Sequence, residues 1–144
     1  MLVGMRYKTV PLLGLVLLVM VTLACSSSPP SPPDTAETAY DRGLKYSLQL
    51  DWENAIEAYD VAIKLDPQYV NVGFDINYSA YFKRGLAYAN LKEYKKAIQD
   101  YTEAIRLNPQ DALAYYNRGR AHFQLGEEEL AELDSAQYKK LSAE

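Results

Sequence analysis

The sequence predicts an all-α fold of three similar helix–turn–helix units, stacked in order as a short solenoid. Three observations predict it. An Arg-Gly step returns at Arg42-Gly43, Arg84-Gly85 and Arg118-Gly119. Three residues after each glycine stands a ring, Tyr46, Tyr88 or His122, and Pro67 and Pro109 close the first two units. Gly85 and Gly119 lie 34 residues apart, and Gly43 and Gly85 lie 42 apart, the difference being the eight residues VNVGFDIN at 70–77. A fixed period of this size marks units that bury their apolar faces only against neighbouring units.

The chain begins with a different kind of segment. Met1–Lys8 holds Arg6 and Lys8 and no acid, and VPLLGLVLLVMVTLA at 10–24 is uncharged and apolar. Its 15 residues fall short of the roughly 20 that a helix needs to cross a bilayer. A basic start, a short apolar run and a small closing residue, Ala24, describe an export signal over residues 1–24. An uncleaved membrane anchor is the alternative; Pro11 and the short run weigh against it.

Cys25 is the chain's single cysteine, so no intrachain disulfide is possible. One histidine and one cysteine far apart make a poor metal site, and no cofactor is expected. At the end of an export signal, Cys25 resembles the acceptor residue of bacterial lipoprotein precursors. That resemblance implies a diacylglyceryl thioether and usually an amide-linked acyl chain on Cys25. The family prefers Leu, then Ala or Ser, then Gly or Ala before the cysteine. Here the residues are Thr22-Leu23-Ala24; Ala24 fits, and the other two are one step out of register. Ordinary cleavage near Ala24 would instead leave a free thiol, a liability in an oxidising compartment.

Residues 25–35 read as a tether. SSSPPSPP cannot bury a core and extends as polyproline II at roughly 3.1 Å per residue, holding a domain about 25 Å from its anchor.

The repeat domain is expected over 36–144, with units at about 36–69, 78–111 and 112–144 and the insertion at 70–77. Without Arg6 and Lys8, 13 bases face 19 acids, a formal charge of −6. Such a balance argues against nucleic acid, whose binding needs a basic face. Asp34-Thr35-Ala36-Glu37 reads as a capping box opening the first helix. Asp66-Pro67 and Asn108-Pro109 read as helix stops, and Asn77 and Asp111 as N-caps of the helices that follow. A mid-helix glycine costs about 1 kcal/mol relative to alanine, so Gly43, Gly85 and Gly119 call for close helix approach, with Ala55, Ala62, Ala97 and Ala104 as the small residues opposite. The alternation in VNVGFDIN around Gly73 predicts an ordered loop that tucks Val72, Phe74 or Ile76 onto the adjoining helices. The third unit departs from the pattern, with Ser135 where Tyr59 and Tyr101 stand and Tyr138 where Ala62 and Ala104 stand. Its charged segment 127–141 reads as a degenerate second helix that caps the stack.

A 34-residue unit with this glycine, aromatic, alanine and proline pattern resembles the tetratricopeptide repeat, over residues 36 to about 142. The resemblance implies a right-handed solenoid whose first helices line a concave protein-binding face. Placed on that face, the groove residues are Tyr40, Leu44, Phe82, Lys83, Leu86, Tyr116, Asn117, Arg120 and Phe123, with Asn90 and Gln124 alongside. Some family members grip a C-terminal carboxylate with Lys, Asn and Arg side chains. At the matching places stand Tyr40, Leu44, Lys83, Leu113 and Asn117, so that grip is effectively absent.

No catalytic constellation emerges. His122 takes the place of Tyr46 and Tyr88 and reads as a core-facing ring; the acids sit on helix surfaces and in first turns; each glycine stands alone rather than in a phosphate loop. Arg42, Arg84 and Arg118 would either line an anion-binding stripe or pair with acids of neighbouring helices, for instance Arg118 with Asp100. The expectation is a non-enzymatic protein- or peptide-binding module of the bacterial envelope. It would be held to a membrane by lipid on Cys25 and face outside the cytoplasm. The alternative is a structural assembly subunit with no free peptide ligand.

Overall fold

The computed structural model describes residues 33–72 and 77–143; the expected export signal, Cys25 and nearly all of the expected tether lie outside the described residues. Among those described, six helices form three pairs. They are α1 (Ala36–Leu48) with α2 (Trp52–Leu65), α3 (Ala80–Asn90) with α4 (Tyr94–Leu107), and α5 (Ala112–Gln124) with α6 (Glu128–Leu141). Each helix packs on its chain neighbours, and α1, α3 and α5 also touch in succession, so the first helices share one side of the stack.

The ends of the insertion pair antiparallel as β1 (Val70–Val72) and β2 (Asn77–Ser79), with Val70 opposite Ser79 and Val72 opposite Asn77. Residues 73–76, with Phe74 and Ile76 of the expected tuck, lie outside the described residues. The apolar–polar alternation of the insertion is the strand period. Because β2 runs into α3, Asn77 is a strand residue and the cap falls to Ser79, whose side chain accepts from the Phe82 amide at 3.2 Å. At the first helix the capping box is shifted by one residue: Thr35 caps the Thr38 amide and the Thr38 hydroxyl accepts from the Thr35 amide. Asp111 caps α5 through the Ala114 amide, as the sequence predicts, and Asp66 and Asn108 end α2 and α4.

Within each pair the chain turns the same way. Leu50, Lys92 and Gly126 occupy one position with φ of 60°, 62° and 76°. The following amides of Asp51, Glu93 and Glu127 bond back to the carbonyls of Tyr46, Tyr88 and His122 at 3.0, 2.9 and 3.0 Å. Left-handed backbone favours glycine, and only the third unit supplies it.

The core lies between the helices of a pair and extends to the start of the next pair. Tyr40, Ala55, Tyr59 and Ala62 close one cluster with Ala80 of α3; Phe82, Ala97, Tyr101 and Ala104 close a second with Ala114 of α5. Tyr40 meets Tyr59 and Tyr69 edge-on at 5.6 and 5.5 Å, and Phe82 meets Tyr101 at 5.8 Å between ring centres. The glycines do permit close approach, but to rings rather than to alanines. A Cβ on Gly43 would run into the Tyr59 ring, and one on Gly85 would come to 2.9 Å from Cε1 of Tyr101. In the third pair no ring is there: a Cβ on Gly119 would meet Cβ of Asp134 at 3.1 Å and the Ala131 carbonyl at 3.3 Å. At the places where α4 carries Ile98, Thr102 and Ile105, α6 exposes Glu132, Ala136 and Lys139.

Candidate functional site

Tyr40 and Phe82 are not on the groove. Each is 2% exposed and packed in its pair's core. The reason is helical phase: each stands three residues before a glycine that faces the second helix, and positions i and i+3 share a face. Leu44 and Leu86 sit half-buried against the first and second clusters. Tyr116, at the phase of Tyr40 and Phe82, is 42% exposed, and Phe123 is 63% exposed.

The remaining residues of the set come together along α3 and α5. A depression of about 250 Å³ between these helices is lined by Leu86, Asn90, Asn117, Arg120 and Gln124, with Tyr94 and Tyr101 of α4 beneath. Asn90 and Asn117 are each fixed by a bond from the side-chain amide to the carbonyl one turn back, Leu86 and Leu113, at 2.8 Å. Arg120 and Gln124 also line a larger cleft of about 720 Å³ between α5 and α6, together with Tyr116, Gly119, Phe123 and Ser135. The two hollows therefore adjoin at Arg120 and Gln124. Lys83 lies half-buried on α3, where burial pulls its ammonium below the usual range. The Arg120 guanidinium lies over the Tyr116 ring at 5.7 Å, a cation–π contact. Tyr116 in turn leans on Tyr138, 5.1 Å away.

The larger cleft was not foreseen, although its cause is in the sequence. In the first two pairs a tyrosine ring, Tyr59 or Tyr101, covers the glycine of the first helix. In the third pair the large and small residues are exchanged between positions 135 and 138, so Tyr138 supports Tyr116 and Ser135 leaves the space beside Gly119 open.

The arginine series is structural rather than a stripe of open anion sites. Arg84 grips Asp100, sixteen residues on, through Nε and Nη2 at 2.8 and 2.6 Å, and its Nη1 donates to Asp60 of the preceding pair. Arg118 repeats the pattern with Asp134 at 2.8 and 2.7 Å and with Thr102 of the preceding pair at 3.1 Å. The expected Arg118–Asp100 pair is thus replaced by a partner in the arginine's own pair. Burial works against the Arg84 charge, yet the bonds from Asp100 and Asp60 outweigh it and raise the guanidinium; burial pushes the Asp100 carboxyl up against the same bonds. Arg42 has Ala58 where the acid should be and pairs with Asp34 at 2.9 Å instead. His122 is mostly buried and bonds Glu127 through Nδ1 at 2.6 Å, within the turn between α5 and α6. Among the described residues, no group of three or more His, Cys, Asp or Glu is placed to hold a metal ion, and no helix is long and apolar enough to cross a membrane.

Residues 85–126 match the family model described as TPR repeat, and 112–143 match the one described as tetratricopeptide repeat. No curated protein matches the chain. Among solved structures it is similar to the first TPR of Spaghetti (RPAP3) bound to the HSP90 peptide SRMEEVD. That likeness has 30% identity and a TM-score of 0.65, covering 74% of this chain and 78% of that one. It is similar to the TPR2B domain of yeast Sti1 in its pHsp70 complex at 29% identity and a TM-score of 0.66, covering 75% of this chain and 80% of that one. The MamA protein is alike at 28% identity and a TM-score of 0.68, over 76% of this chain and 59% of that one. With its period, its helix pairs and these relatives in agreement, the chain belongs to the tetratricopeptide-repeat family.

Proposed function

We propose that this protein is a membrane-anchored binding module of the bacterial envelope that holds a protein or peptide segment in the groove of α3, α5 and α6. The observation that carries the reading is the adjacency of the two hollows, which share Arg120 and Gln124 in their linings. A groove that pairs exposed rings, Tyr116 and Phe123, with fixed amides, Asn90 and Asn117, has the mix of apolar anchor and oriented polar group that peptide sites use. Two of the relatives above are held with peptide or chaperone segments, which supports a peptide ligand here. The ligand is not a C-terminal carboxylate held in the manner of those chaperone tails, because Tyr40 is core and Leu44 is half-buried. The protein acts by binding rather than by turnover, with no cofactor, metal or nucleic acid.

Anchoring rests on the sequence around Cys25. One acyl chain holds a protein only marginally, whereas two or three make attachment effectively permanent. Cys25→Ser is expected to abolish lipid labelling and release the protein or stall its export; an unmodified Cys25 on a full-length, membrane-bound chain would support the uncleaved anchor. For the groove, a photo-cross-linking residue at Asn117 is expected to trap the partner from envelope extract, and one at Lys64 on the second helix of the first pair is not. Equal trapping at both sites would contradict the reading. The rival role, a structural assembly subunit, draws on Leu130 and Leu133, exposed to 46% and 63% on α6. A solution mass of one chain, unchanged by extract, would sink that rival.

A further inference from the structure

We propose that the cleft between α5 and α6 is a receptor pocket for one aromatic side chain, tyrosine or similar, carried by a peptide with a lysine or arginine next to it. The inference rests on the groove reading and specifies its ligand.

The first two pairs act as internal templates for the occupant. In each, a tyrosine ring from the second helix packs against the first-helix glycine: Tyr59 on Gly43 and Tyr101 on Gly85, both fully buried. The third pair keeps the glycine and loses the ring, and Gly119 and Ser135 line the open cleft. A mid-helix glycine costs about 1 kcal/mol against alanine, and at Gly119 only Asp134 Cβ and α6 backbone stand close. The wall around Gly119 is thus the counterpart of one that meets a phenol ring twice elsewhere in this chain; here α6 atoms cover the buried glycine itself, and the cleft that it lines with Ser135 stays open. Tyr116 and Phe123 flank it with exposed rings, and aromatic pairs in offset or edge geometry add about 0.5–1.5 kcal/mol beyond burial.

Charge selects the neighbour of that ring. Glu128 and Glu132, one turn apart on α6, line the cleft. The single base in the lining, Arg120, already lies over the Tyr116 ring. The rim is therefore net acidic, and a base adjoining the incoming ring meets it, whereas an acid is repelled.

The test measures fluorescence anisotropy of labelled peptides on the full-length protein. The peptides are GSKYSG, its alanine version GSKASG and its acidic version GSEYSG. GSKYSG is expected to bind, and each of the other two to bind about tenfold or more weakly. Ser135→Tyr installs the missing ring and is expected to lower GSKYSG affinity to the level of GSKASG. Ser135→Tyr with Tyr138→Ala reproduces the packing of the first two pairs, so it closes the pocket in a fold already known to accommodate it. Equal affinity for the three peptides, or undiminished binding by that folded double variant, overturns the pocket. If wild type ignores GSKYSG yet still captures its envelope partner through Arg120, the pocket is wrong and the groove reading stands. Loss of both overturns both.

Discussion

Phe82 and Tyr116 hold the same phase in successive first helices, yet one is 2% exposed and the other 42%. The difference comes from what covers them. Phe82 shares its core cluster with the Tyr101 ring and Ala114 of the next pair, whereas Tyr116 meets the Tyr138 ring and the Arg120 guanidinium. Truncating a buried phenylalanine costs about 3–5 kcal/mol, so Phe82→Ala is expected to lower the urea midpoint sharply. Reading all three rings as a groove row misses this; the spacing of three to the glycine was the available signal. The buried tyrosines make a second prediction. Burial raises the Tyr59 hydroxyl to about 12 from an ordinary 10.0, and raises Tyr101 further. The folded state then keeps protons that the unfolded state loses above pH 10, so stability is intact below that pH and falls as pH rises through it. In a tyrosinate absorbance titration these two rings should ionise only with unfolding, and Tyr59→Phe with Tyr101→Phe should extend the folded range upward. Two early-titrating rings in the native protein would contradict their burial.

Between elements, the arginine ladder ties each pair together and each pair to the one before it. Arg84 and Asp100 are 18% and 5% exposed at the side chain, with Asp60 completing the link to α2. Removing one partner of a buried pair costs about 3–5 kcal/mol because the other charge is stranded. Arg84→Met is therefore expected to destabilise more than Arg84→Met combined with Asp100→Ala, which recreates the alanine already present at Ala58. Chemical denaturation of the two variants checks this; equal loss would show that the pair contributes only packing. Helix pairs, stops and period were legible because Pro67, Pro109 and the Arg-Gly steps act locally. The caps moved by one or two residues, from Asp34 to Thr35 and from Asn77 to Ser79, because the choice depends on where the preceding chain enters, here from a hairpin. The pairing of Arg118 was illegible for a related reason: Asp100 and Asp134 carry the same local pattern, and only packing distinguishes them.

At the scale of the molecule, three pairs put α1, α3 and α5 on one side, and that side is where Lys83, Leu86, Asn117, Arg120 and Phe123 remain as candidates after Tyr40 and Phe82 move to the core. The departures of the third unit, Ser135 and Tyr138, were visible in the sequence; that they open a cleft became visible only with the helices side by side. The central claim is that the groove of α3, α5 and α6 binds while the buried rings hold the fold. Isothermal titration of the captured partner with Tyr116→Ala/Arg120→Ala, run beside thermal unfolding, tests it most directly. The account predicts an affinity loss of about thirtyfold or more, equal to about 2 kcal/mol, with the melting midpoint nearly unchanged. Undiminished affinity, or a variant that loses its partner only because it unfolds, would contradict it.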